Sequence, residues 1–196
     1  NDGIYQIFDI GRFQRFKAGI LRMHDAVIRS GAAIIHLTPP IYDDKKGGIP
    51  GYNGVLDTYS KWLVGLQDSL AWDVIDIHFP MADYQQARQT ADKDFTLADD
   101  GIHPGSLGHW VMAKQVLIYL DNNKELKAAV DINSLLNGYK NGLQILQLVK
   151  ERQDIMKDAW LSATKHNRPA MNTGLPLDEA KVKAAAIESR IRKLQK

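Results

Sequence analysis

Asp100 and His103 stand three residues apart in the stretch Asp99-Asp100-Gly101-Ile102-His103-Pro104-Gly105-Ser106-Leu107-Gly108-His109. This is a glycine-containing turn placed ahead of an apolar helical pattern. The spacing allows the carboxylate to meet one imidazole nitrogen while the other nitrogen faces a cleft. A carboxylate so placed fixes the tautomer, orients the ring and stabilises the imidazolium during proton transfer. An imidazole with an ordinary pKa of about 6.5 suits a general base at neutral pH. Such pairs also occur in loops by chance. What singles this one out is its position after the strand candidates and at the head of a helix, because chemical groups in open α/β sheets gather at the carboxyl ends of strands.

The elements that must hold the pair are read from apolar spacing. Phe13, Phe16, Ile20, Met23 and Val27 recur every three or four positions, which predicts an amphipathic helix ended by Ser30-Gly31. The run Ala32-Ala33-Ile34-Ile35-His36-Leu37 is apolar on both alternating sets and predicts a strand buried on both faces. A long loop follows from Tyr42 to Gly54. A second helix then carries Leu56, Tyr59, Leu63, Leu66 and Leu70 on one side, and Trp72 to Ile77 predicts a second strand. From His78 to Ile102 no period dominates, with at most a helical turn or two between Tyr84 and Ala91. Ser106 is placed to cap a third helix bearing Trp110, Ala113, Leu117 and Leu120. Beyond Asp121 a short helix bearing Leu126, Val130 and Leu135 is expected, followed by the breaks Asn137-Gly138 and Asn141-Gly142. Long helices are expected near 143–162 and 177–193, with a linker at Thr164 to Pro169. Two domains are expected, residues 1–122 and a helical extension over 123–196 that packs on the first or on a partner.

The 196 residues are 44% hydrophobic, with 25 basic and 23 acidic side chains interleaved along the chain. A balance of +2 gives no concentrated field for tracking phosphates, so no nucleic acid partner is expected. The absence of cysteine removes disulfides, thiol nucleophiles and thiolate metal ligands. No apolar run has the length of a membrane span. The glycines of Gly47-Gly48-Ile49-Pro50-Gly51 are not followed by a Gly-Lys-Ser/Thr element, so they form no phosphate loop.

Asp100-Gly101-Ile102-His103-Pro104, followed by Gly108-His109 and an apolar helix, resembles the last block of SGNH (GDSL-type) hydrolases. The opening Asn1-Asp2-Gly3-Ile4-Tyr5 resembles the end of that family's Gly-x-Asn-Asp block, and Ile34 to Pro40 resembles the strand and proline-rich loop between the two. The resemblance covers about residues 1–120. It implies a three-layer α/β/α flavodoxin-like fold whose N-terminal strands lie outside this chain, with additional C-terminal helices. It also implies a serine esterase removing O-acyl, chiefly acetyl, groups from carbohydrates in the periplasm or outside the cell. His103 is then the base, Asp100 its orienting acid and Asn1 an oxyanion donor. The nucleophilic serine cannot be placed: Ser30, Ser60 and Ser69 lack suitable surroundings. An upstream segment of the same protein is therefore the expected partner, and this chain alone is expected to be inactive.

Other residues carry weaker expectations. His78, at the end of the second strand, and Tyr42 are candidate substrate contacts. Tyr5, Tyr52, Trp62 and Trp72 offer stacking faces, with packing as their alternative role. His36 reads as a hydrogen-bonded strand residue, and His109 as packing behind His103. A metal site built from Asp100, His103 and His109 has no spacing signature, and neither metal nor cofactor is expected. The competing reading is a non-catalytic helical binding or assembly module attached to a degenerate hydrolase domain.

Overall fold

The structure, a computed structural model, describes residues 5–121, 124–167 and 171–196. Its elements in chain order are α1 (Ile10–Arg29), β1 (His36–Leu37), α2 (Asp44–Gly47), α3 (Tyr52–Leu70), β2 (Val74–Ile75), α4 (His78–Gln89), α5 (Ser106–Leu120), α6 (Lys124–Ala128), α7 (Ile132–Leu136), α8 (Gly142–Ala163) and α9 (Leu177–Leu194). They fall into two compact units, Asn1–Asp131 and Ile132–Lys196.

In the first unit α1 and α3 begin where a side chain accepts their unpaired N–H groups. Asp9 takes the Arg12 N–H at 2.6 Å at the head of α1. Asp44 plays the same part for α3, accepting from Gly51 at 2.7 Å and Asn53 at 2.9 Å. Helix α3 buries Tyr52, Val55, Leu56, Tyr59, Leu63 and Leu66, which meet Phe13 of α1 on one side and Val74 of β2 further along. A neighbouring cluster joins Ile41, Met81 of α4, Leu97 and Val111 of α5. The predicted stripe of α1 is therefore only partly used. Phe13 alone is fully buried, and Met23 is 47% exposed.

β1 and β2 pair in parallel, with His36 opposite Val74 and Leu37 opposite Ile75. Among the described residues the sheet has no third strand. This overturns the expected three-layer α/β/α flavodoxin-like fold: the protein is predominantly helical, and its sheet is too small to form a central layer. The two apolar runs do lie beside each other, but each supplies only two residues of ladder. Helices satisfy their backbone internally, whereas parallel strands extend only as far as neighbours exist to pair with them.

Three local expectations are also corrected. Helix α4 starts at His78 and is far longer than the turn or two expected. Its first N–H groups are satisfied from outside the helix, by Thr38 Oγ1 (Ile77 N–H at 2.8 Å, His78 N–H at 3.0 Å) and Asp76 Oδ1. Pro80 is tolerated there because first-turn amides need no internal partner. Ser106 does not cap α5; Gly105 occupies that position and no side chain bonds there. The loop from Tyr42 to Gly54 contains α2 and the first residues of α3.

The second unit is built on a helical hairpin. Leu148 of α8 meets Ile187 and Ile191 of α9, with Ile145, Val149, Ile155 and Leu194 around them. Ala159 and Ala180 are both fully buried, and small side chains let helix backbones approach closely. An ion pair joins Arg152 to Glu188 across the hairpin. No helix among the described residues is long and apolar enough to cross a membrane.

Candidate functional site

The turn carrying Asp100 and His103 is fixed by its glycine. Gly101 adopts φ +77°, a conformation that disfavours side chains, and a Cβ there would sit 2.2 Å from the Gly47 nitrogen. The close approach is used: the Asp43 N–H donates to the Gly101 carbonyl at 3.0 Å, and the Gly101 N–H donates to Ala98 at 2.9 Å. Asp43 in turn heads α2, accepting from Lys45 and Lys46, and takes a bond from Gln85 of α4 at 3.1 Å.

Within this frame Asp100 is triply bonded. Its Oδ1 accepts from the N–H groups of Ile102 (2.9 Å) and His103 (2.8 Å), and its Oδ2 lies 2.7 Å from His103 Nδ1. The His103 N–H, the His103 ring and the Ile102 N–H, in that order, hold the Asp100 carboxyl well below the usual carboxylate range. A carboxylate can only accept, so Nδ1 carries the proton and Nε2 of the neutral ring is left as an acceptor. The His103 side chain is 80% exposed. It stands at the edge of a cavity of about 320 Å³ lined by Tyr5, Pro39, Pro40, Tyr42, Ile102 and others. The arrangement can accept a hydrogen bond or a proton from a molecule in that cavity.

The remaining candidates are distributed differently. Tyr42 lines the cavity but is only 4% exposed, and burial pushes its phenol above the ordinary value. His78 is sealed in the interior, with Nε2 2.6 Å from Asp57 and Nδ1 3.2 Å from the Pro39 carbonyl. His109 is exposed on α5. Asn1 lies outside the described residues. Among the described residues, no group of three or more His, Cys, Asp or Glu side chains can hold a metal ion.

Comparisons of the chain with protein-family models, with curated proteins and with solved structures find no match. The structure then decides against the esterase reading. Among the described residues no serine is bonded to His103: Ser30, Ser69 and Ser189 donate to carbonyls of their own helices, and Ser60 is buried within α3. The helical architecture offers no sheet scaffold for a Ser-His-Asp arrangement. Membership of the SGNH family, the hydrolase and acetylesterase activity, and the status of an esterase fragment are all overturned by that architecture.

Sequence reasoning missed two histidine clusters. One joins His24 of α1, His36 of β1 and Trp72; the other joins His78, Asp57 and Thr38. Their members are 12 to 48 positions apart, and no local pattern links them.

Proposed function

We propose that the protein is a non-catalytic helical binding module whose first unit takes an extended apolar peptide segment along the open edge of β1. The observation that carries this reading is a mismatch between the composition of β1 and its position. Ala32 to Leu37 has the apolar content of a strand covered on both faces, yet Ile35 is 42% and Leu37 45% exposed at a sheet edge. Edge strands that remain unpaired are normally blunted by shortness, charge, proline or bulges, and β1 is short, with Pro39-Pro40 close behind it. This one has no charged residue between Ala32 and Thr38.

The backbone specifies the chemistry of the occupant. The N–H groups of His36 and Thr38 donate inward to Asp73 (2.9 Å) and Ile75 (3.1 Å). By strand alternation the amides of Ile35 and Leu37 point to the open edge, and their side chains share one face. An extended backbone with apolar side chains satisfies both requirements, as in recognition by strand addition. Pro39 to Tyr42, which follow β1, line the cavity beside His103. The Asp100–His103 pair therefore supplies a polar contact to a segment emerging from the carboxyl end of β1.

The test is fluorescence anisotropy with a labelled hexapeptide of alternating valine and isoleucine flanked by lysines, against the same peptide interrupted by proline. The uninterrupted peptide is expected to bind. Leu37→Pro removes one outward N–H while leaving the inward ladder intact, and should weaken binding at least about tenfold. Equal binding of both peptides, or of the wild type and Leu37→Pro, excludes strand addition.

A further inference from the structure

We propose that His24, His36 and Trp72 form an acid-labile clasp that holds the second half of α1 against β1 and releases it as pH falls. His24 Nδ1 lies 3.0 Å from His36 Nε2. The two ring planes are close to parallel, at 20°, with centroids 5.3 Å apart. Trp72 stacks on both, at 3.5 Å and 5° from His24 and at 4.8 Å and 15° from His36. A bond between two imidazole nitrogens needs one N–H and one lone pair. When both rings are protonated the lone pair is gone, and two cations face each other across the former bond.

The surroundings give the second charge nowhere to go. His36 is 5% exposed, and among the described residues neither ring is paired with a carboxylate. The nearby ionisable groups are Asp25 and Arg29 on α1 and Asp73, which faces the Tyr119 hydroxyl of α5; the end of α3 brings only Leu70 and Ala71. Burial first, and His24 second, hold the His36 imidazole below its ordinary value. The unfolded ring takes its proton below about pH 6.5 while the folded one resists it, so the contact contributes fully above that pH and is lost as pH falls.

The geometry also limits how far the release spreads. Phe13 is the one buried residue of α1 and lies near its start. Beyond it, Phe16 and Ile20 still pack against the α3–β2 core. Past Ile20, Leu21 is 37%, Met23 47% and Ile28 51% exposed, and the His24 ring stacked on Trp72 anchors these last turns. Release therefore frees the C-terminal turns of α1 without dissolving the α3 core. The clasp stands independently of peptide docking at β1.

Hydrogen exchange, expressed as protection factors at pH 7.5 and 5.5, tests the clasp on the wild-type chain and on His24→Phe. The phenyl ring keeps the stack on Trp72 and removes the nitrogen that His36 is bonded to. In the wild type, protection over residues 20–29 and at His36 and Thr38 should fall at least about fivefold at the lower pH, while residues 55–66 stay unchanged. In His24→Phe the loss over 20–29 should disappear. Ring 15N shifts of the wild type provide a second measure, with His36 protonation and α1 opening expected to coincide. Equal wild-type protection at the two pH values, the same loss in His24→Phe, or His36 protonation without opening would each overturn the proposal.

Discussion

Nε2 of His78, a residue with no solvent exposure, lies 2.6 Å from Oδ1 of Asp57, tying the start of α4 to the middle of α3. The same ring reaches the Pro39 carbonyl, and its backbone N–H reaches Thr38. One residue thus joins the segment after β1 to both helices. His78→Ala removes the ring and leaves Pro39 and Asp57 without their partner, and should cost about 2–4 kcal/mol in urea unfolding. Asp57→Asn, at a side chain 36% exposed, should cost only about 1 kcal/mol. Equal effects of the two changes would show that the ring does not organise this junction.

Gly101→Ala and Gly48→Ala separate conformational strain from steric conflict. Both glycines have positive φ, +77° and +75°, but a Cβ meets nothing within 4 Å at Gly48 and backbone at 2.2 Å at Gly101. Gly48→Ala should cost about 1 kcal/mol and Gly101→Ala at least about 3 kcal/mol, read from denaturation midpoints. Gly101→Ala should also shift the His103 ring resonances, because the turn must open.

The Asp100 carboxyl should remain ionised where an ordinary aspartate, with a pKa of about 3.9, is largely protonated. Its folded value is depressed, so its contribution to stability is present above the unfolded value and lost as pH falls through the folded one. Carboxyl 13C shifts recorded down to pH 2 read this directly. His103→Ala should raise the Asp100 value only in part, because the N–H donors of residues 102 and 103 remain. Titration of wild-type Asp100 at the ordinary value would refute the triple bonding.

Ala71 closes α3 with φ +54°, in the left-handed region where glycine is preferred. Ala71→Gly should therefore stabilise the chain by about 0.5–1 kcal/mol, visible as a higher thermal midpoint. A lower midpoint would place the control of this turn elsewhere, with Trp72 beside it the first candidate.

The order of the long helices was legible because amphipathic spacing is a local signal. Leu56, Tyr59, Leu63 and Leu66 lie on one face of α3 by periodicity alone. The two strands were legible as apolar runs, since β1 and β2 fall within 32–37 and 72–77. The meeting of Asp100 with His103 followed from three-residue spacing across a glycine. The fold class was not legible: the layered sheet came from the resemblance, while the chain itself offered only two strand candidates. The onset of α4 at His78 was hidden because its acceptors, Thr38 and Asp76, lie outside the helix. The His24–His36 bond was hidden for the same reason, since partners joined by tertiary packing leave no periodic trace.

The central claim is that β1 presents an unpaired edge to an extended apolar segment. Amide exchange at single-residue resolution reads that edge most directly, with and without saturating valine/isoleucine hexapeptide. Free protein should show slow exchange at His36 and Thr38 and fast exchange at Ile35 and Leu37; the peptide should slow Ile35 and Leu37 at least about tenfold. Fast exchange at Ile35 and Leu37 persisting under saturation, or slow exchange there before any peptide is added, would contradict it.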